Sequence, residues 1–183
     1  MNTTYIVIAA VLIVIVIAVA ILLPILTQRK RVKQLQSHFG SEYDHTVETL
    51  GDEKQAHLEL ENRQKHVESL DIHPLSAIER ERYLADWSRV QSKFVDEPGQ
   101  AIVDADHLIM EVMHLRAYPV SDFEQRAADV SVSYPELVSN YRAARVIALK
   151  NQEHQADTEE LRQALIYYRS LFEELLEIEP VVA

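Results

Sequence analysis

The stretch SAIERERYLADWSRVQSKF, residues 76–94, decides the fold that the sequence predicts. Ser76 and Glu79 match an S-x-x-E capping box, which marks a helix start. Large apolar side chains then recur at steps of three and four residues, the spacing of one helix face. They are Tyr83, Leu84, Trp87, Val90 and Phe94. We therefore predict an amphipathic helix with one buried face.

Further amphipathic helices are predicted on the carboxyl-terminal side of this stretch. One begins at Pro98, which a first turn tolerates, and runs to about Arg116. The last begins at Asp157 or Thr158, either of which is a suitable cap. The inward positions, taken in chain order, are Ile102, Ala105, Ile109, Val112 and Met113, then Leu137, Tyr141, Ala144 and Ala148, then Leu161, Ala164, Leu165, Tyr168, Leu171, Phe172 and Leu175.

The segment between these helices contains two more matches to the capping box. Ser121 is followed by Glu124, and Ser133 is followed by Glu136, at the required spacing. VSVSY, residues 130–134, alternates like a strand but has no partner run, so it is interpreted as a linker. The fold class that follows is all-α: a small helical bundle over residues 71–183.

Residues 34–70 are predicted to form a helical stalk that precedes the bundle. Leu35, Phe39 and Tyr43 begin an apolar stripe that Gly40 and Gly51 interrupt. The residues after Asp52 are nearly all polar, which suits an exposed helix that pairs weakly at most. The break at residues 71–74 ends in proline, and the residue before a proline avoids the helical conformation.

Residues 5–26, YIVIAAVLIVIVIAVAILLPIL, are 22 residues without a charge and predict a transmembrane helix. At about 1.5 Å per residue the segment spans roughly 33 Å, close to the thickness of a bilayer core. Its ends are Tyr5 and Leu26, and Pro24 lies near the far end, where headgroup water can satisfy a lost hydrogen bond. The segment is interpreted as an anchor in the lipid bilayer.

The charges beside this segment predict its orientation. Residues 1–4 carry no lysine or arginine, whereas residues 27–33 form a basic collar with Arg29, Lys30, Arg31 and Lys33. Positive residues stay on the cytoplasmic side, so residues 1–4 are predicted outside and the body cytoplasmic. Ala18-Val19-Ala20 leaves an alternative open, because it resembles a signal-peptidase site and would make the body an exported envelope protein.

Composition excludes several classes of chemistry. The chain has no cysteine, so it forms no disulfide, thiolate metal site or cysteine nucleophile. Its three glycines are too scattered for a Walker A loop, a dinucleotide fingerprint or a hydrolase elbow. Beyond Lys33, 14 basic residues face 29 acidic ones, a net charge of −15, which disfavours a nucleic-acid partner. No cofactor and no catalytic residue are predicted.

One constellation fits metal chemistry. Glu42 with His45 and Glu111 with His114 match the E-x-x-H spacing of di-iron helix bundles. His107 lies on the same stripe as the second pair. That stripe lies opposite the predicted apolar face, so these side chains are expected to meet water rather than a metal. A membrane-anchored carboxylate metalloenzyme remains the alternative.

The second constellation is FEQRAAD, residues 123–129: Phe123, Glu124, Gln125, Arg126, Ala127, Ala128 and Asp129. With Arg142 and Arg145 it forms either a buried charge network or an anion pocket. The favoured interpretation is structural, because capping of Ser121 already accounts for Glu124. The two alanines indicate close helix packing.

Four segments resemble a widespread family of bacterial proteins with one amino-terminal membrane helix. They are FGSEYDHTV (39–47), LDIHPLS (70–76), RYLADWSRVQSKFVDEP (82–98) and AYPVSDFEQRAADVSVSYPELVSNYRAA (117–144). The resemblance implies a membrane-tethered helical domain and carries no known activity, substrate or cofactor. Members tend to have arginine where this chain has His45 and His114.

These observations together predict placement rather than a reaction. The expected protein is a single-pass protein of the bacterial inner membrane. Its cytoplasmic helical body acts as an interaction or scaffold module for a protein partner. Enzymatic activity is not expected.

Overall fold

The computed structural model describes residues 30–176, and every regular element in that range is helical. Residues 30–38 belong to one compact unit and residues 39–176 to another. The second unit contains seven helices: α1 (Ser41–Leu50), α2 (Glu53–Glu68), α3 (Ala77–Phe94), α4 (Pro98–Leu115), α5 (Phe123–Ser133), α6 (Val138–Gln152) and α7 (Thr158–Leu175). The predicted all-α class is confirmed for the described residues.

Four of these helices, α3, α4, α6 and α7, form a continuous apolar core. Helix α4 packs between α3 and α7, and α7 packs along α6. Trp87 of α3 stacks on Phe172 of α7 with their ring centroids 4.7 Å apart. Nearly all the predicted inward positions are buried or partly buried. Leu84 is the exception: it is 41% exposed, because it lies at the edge of the stripe of Tyr83, Trp87 and Val90.

Helix caps explain where several of the helices begin. The Ser76–Glu79 capping box is present at α3, and a second box joins Asp157 and Glu160 at α7. Asp52 caps α2 by accepting a hydrogen bond from the Gln55 backbone N–H. These predicted caps are confirmed.

Two predicted capping boxes are wrong. Asp122 rather than Ser121 caps α5, accepting from the Gln125 backbone N–H at 2.8 Å, which leaves the Glu124 side chain available for another partner. Ser133 is the last residue of α5, and α6 begins after Leu137 without a side-chain cap.

Residues 130–133 are also helical rather than part of a linker. Val130 is buried in the apolar core. Its burial outweighs the weak preference of β-branched residues for strands, which is worth well under about 1 kcal/mol per residue.

The structure differs from the predicted stalk. Helices α1 and α2, here called the hairpin, pack against each other and against α6 and α5. They belong to the same compact unit as the core helices, so the division falls at residue 39 rather than at residue 70. The reason is that charged side chains of this polar segment pair with distant residues of α5 and α6.

The predicted transmembrane segment, residues 5–26 with Tyr5, Pro24 and Leu26, lies outside the described residues, as does Arg29 of the collar. Between residues 30 and 176 no helix has the length and apolarity needed to cross a membrane. Lys30, Arg31 and Lys33 lie on the helical residues 30–39 and are exposed.

Candidate functional site

Glu42 of the hairpin is the centre of a charge network between α1, α2 and α6. Its side chain is only 2% exposed. One carboxylate oxygen, Oε1, accepts hydrogen bonds from Arg63 Nη1 at 2.9 Å and from Arg142 Nη2 at 3.0 Å. A buried carboxylate needs such partners, because an unpaired charge is costly away from water.

The two arginines of the network each hold a second carboxylate. Arg63 donates from Nε to Glu59 Oε1 at 2.9 Å, and Arg142 donates from Nη1 to Glu124 Oε2 at 2.8 Å. Burial by itself would lower the pKa of Arg142, but Glu42 and Glu124 raise it above its ordinary value. Glu124 thus takes part in a charge network, the alternative to the capping role that the sequence favoured.

Asp129 of α5 is fully buried beside α2. Its Oδ1 accepts from Gln125 Nε2 at 2.9 Å and lies 3.6 Å from His66 Nε2. Oδ2 has no hydrogen-bond partner within the described part of the chain. Burial raises the pKa of the Asp129 carboxyl, and Gln125, His66 and Arg63 offset part of that rise.

Arg126 and Arg145 connect α5 to the core helices. Arg126 is 4% exposed, and its Nε donates to the Tyr141 hydroxyl at 3.1 Å while Nη1 donates to the Val120 carbonyl at 3.1 Å. Arg145 lies 3.5 Å from Asp106 rather than joining Arg142. Both guanidinium groups lie over the ring of Phe123. These contacts join α5 to α6 and to the loop that precedes α5.

Ala127 and Ala128 are both buried. Ala127 belongs to the apolar core and Ala128 lies outside that cluster. The seven residues of the FEQRAAD segment therefore lie in a helix between the core and the hairpin.

A separate open groove runs between α3 and α4, with a volume of about 680 Å³. Its walls are mostly charged or polar. The α3 side presents Arg82, Asp86, Val90, Arg89 and Lys93, and the α4 side presents Gln100, Val103, Asp104, His107, Leu108 and Glu111. Lys93 and Asp104 bridge the two walls at 2.7 Å, which holds the pKa of the aspartate below and that of the lysine above the ordinary value.

The metal candidates do not converge. The Glu42 carboxylate already accepts hydrogen bonds from two arginines, and His45 is exposed on α1. His107, Glu111 and His114 are exposed on α4, as the position of their stripe predicted. In the range 30–176 no group of three or more histidine, aspartate or glutamate side chains is placed to hold a metal ion.

Sequence analysis did not single out Arg63, His66 or Asp106 as members of these clusters. Arg63 lies 21 residues along the chain from Glu42. His66 and Asp106 face residues that are still farther away in sequence, beyond the reach of helical spacing. The only available signal was the excess of charged residues on a helix, α2, that has no strong apolar face.

No family model, curated protein or solved structure matches this chain. The resemblance to bacterial proteins with one membrane helix therefore stays a prediction. The arrangement of charged residues has to be interpreted from its own geometry.

Proposed function

We propose that this protein is a membrane-tethered helical module that binds another protein at the inner face of a bacterial membrane. The uncharged residues 5–26 and the basic collar support the tether and its direction. The acidic body, with a net charge of −15 beyond Lys33, would be repelled by anionic lipid and held away from the bilayer surface.

The observation that carries this proposal is the groove between α3 and α4. Sites for small molecules are mostly enclosed and lined by apolar side chains. This groove is open, and its walls carry charges of both signs: the cationic Arg82, Arg89 and Lys93 lie on α3, and the acidic Asp104 and Glu111 lie on α4. Such a surface suits a polypeptide segment of mixed charge. Arg89 and Glu111 of the groove would pair with acidic and basic side chains of that segment.

Site-specific photocrosslinking in cells tests the groove as a contact surface. Arg89, which pairs with Asp86 one turn away, is replaced by p-benzoylphenylalanine in the full-length chain. We expect one discrete crosslinked product, which weakens when Glu111 at the groove is replaced by lysine. Arg162 on α7 is a matched control, because it is also exposed and pairs with an acid three residues earlier, Glu159. Equal products from both positions would contradict a groove-specific contact.

Protease treatment of spheroplasts tests the tether and its direction. The carboxyl-terminal body should resist the protease in intact spheroplasts and be digested after lysis. Removal of residues 1–29 should release the body from the membrane fraction. Digestion in intact spheroplasts would instead support the exported envelope protein, the alternative that Ala18-Val19-Ala20 leaves open.

A further inference from the structure

Polar side chains connect the hairpin to α5 and α6. Glu42 bonds Arg142 of α6, Arg63 lies 3.5 Å from Ser131 of α5, and His66 faces Asp129. The hairpin's buried apolar residues, Tyr43, Ala56 and Leu60, lie outside the continuous apolar core. Regions with few shared apolar contacts open at lower free energy than the core.

Glu42 and Arg142 each have another charged partner on their own side of this interface. If the hairpin separates, Glu42 keeps its bond to Arg63, because both residues belong to the hairpin. Arg142 stays on α6 and keeps its bond to Glu124. Breaking a buried ion pair is usually costly because it leaves one charge alone. Here separation leaves both Glu42 and Arg142 with a charged partner, so that cost is small for this pair. Asp129 loses the facing His66 and becomes accessible to water.

The closed interface also contains polar atoms that water would satisfy. His66 Nε2, Asp129 Oδ2 and Arg142 Nε are all buried, and among the described residues none of the three atoms has a hydrogen-bond partner. Buried polar atoms without partners cost free energy, which hydration on opening would recover. The closed state is therefore less favourable than an apolar interface of the same size.

Both ends of the hairpin are suited to movement. Gly40, just before α1, has a positive φ of 51° that favours glycine. After α2, residues 69–76 form no helix. The far end of this connection is fixed, because Arg116 Nε donates to the His73 carbonyl and Leu75 is buried in the core. Leu70 and Ile72 also pack against the core, so motion would be confined to residues before Leu70.

We propose that the hairpin is a releasable strap: it detaches from α5 and α6 as one unit while the apolar core stays folded, and Glu42 holds it closed. Opening uncovers Asp129, Ser131 and Arg142, a polar face that the closed strap covers. The proposal goes beyond the interaction module above and does not depend on it.

Native-state hydrogen exchange on the unsubstituted full-length chain, followed by mass spectrometry, tests the strap directly. We expect the amides of α1 and α2 to share one opening event that is at least about tenfold more frequent than that of α7. Exchange of the hairpin and core amides through a single common opening would overturn the proposal.

A labelled pair of cysteines measures the separation itself, since the chain has no cysteine of its own. Exposed Asn62 on α2 and Ser139 on α6 are replaced by spin-labelled cysteine, and a pair at Ser88 and Gln152 serves as the core reference. Glu42→Gln should add a longer distance to the first pair only. The matched control, Glu124→Gln, removes the network's exposed carboxylate (78% exposed) and should leave both distances unchanged.

Trp87 reports separately on the core, because it is the single tryptophan and stacks on Phe172. Its emission should be the same in Glu42→Gln and in the unsubstituted chain. An emission change that accompanies the longer distance would show global unfolding and would contradict the strap. A single short distance in Glu42→Gln would also contradict it.

Discussion

The four core helices and the hairpin are held together by different physical forces. Between α3, α4, α6 and α7 the buried apolar side chains form one continuous cluster. Between the hairpin and α5 or α6, charged contacts join Glu42 to Arg142 and His66 to Asp129. Apolar burial stabilises in proportion to area, whereas a buried ion pair roughly balances its own desolvation.

The comparison teaches that burial by itself does not measure how firmly a segment is held. Glu42 is about as buried as the core side chains, yet its partners are charged. Such contacts set where the hairpin docks more than how strongly it docks. The two regions should therefore respond differently to substitutions, caps and pH.

The largest expected effect is in the core. Phe172→Ala removes a fully buried ring that stacks on Trp87. We expect it to lower the free energy of unfolding by about 3–5 kcal/mol, measured by urea titration with Trp87 fluorescence. Ile166→Ala on the same helix is the control, because Ile166 is 41% exposed, and it should cost less than about 1 kcal/mol. Equal losses would mean that the core does not carry the stability.

A middle-sized effect distinguishes the regions through their helix caps. Asp157→Ala removes the cap of α7 in the core, and Asp52→Ala removes that of α2 in the hairpin. Each loss costs about 1 kcal/mol locally. Asp157→Ala should shift the unfolding midpoint seen by Trp87. Asp52→Ala should speed exchange of α2 amides and leave that midpoint in place; equal shifts of the midpoint would show that both regions unfold together.

The smallest expected effect is on the melting temperature and concerns Asp129, whose carboxyl lies between the hairpin and the core helices. Burial raises the pKa of Asp129, so the folded protein binds this proton more tightly than the unfolded chain. The stabilisation is complete below the ordinary aspartate pKa and is lost as pH rises through the raised value. Asp129→Asn should therefore raise the melting temperature at neutral pH, and the gain should shrink as the pH is lowered.

Asp122→Asn provides the control for this pH dependence. Asp122 is an exposed cap on the same helix, and its oxygen that accepts from the Gln125 backbone N–H is retained in asparagine. Its melting temperature should stay close to that of the unsubstituted chain across the same pH range. If the higher melting temperature of Asp129→Asn persisted at acidic pH, the charge of Asp129 would not be its cause.

The core could be predicted from the sequence because its signal is local. Tyr83, Trp87 and Val90 share a face through helical spacing, and the Ser76–Glu79 box fixes where that helix begins. Ser121 and Ser133 match the same capping-box pattern, but neither caps a helix in the structure. A capping box specifies a helix start only where tertiary contacts leave both of its side chains available.

The docking of the hairpin could not be predicted, because its contacts are long-range and polar. Glu42 and Arg142 are 100 residues apart. Helix α2 has little apolar periodicity, which is why it resembled an exposed stalk. The pairing of Glu124 with Arg142 could not be predicted for the same reason. Glu124 lies three residues after Ser121, and this spacing predicted a capping role instead.

The sequence by itself determined the all-α class, the inward faces of the core helices, the caps of α2, α3 and α7, and the acidity of the body. The caps and inward faces follow from spacing within one helix, and the acidity follows from composition. Only the tertiary structure decided which arginines neutralise Glu42, that Asp129 is buried, and that the hairpin docks on α5 and α6. Electrostatic pairing depends on distance in space, and the sequence order of charged residues does not specify that distance.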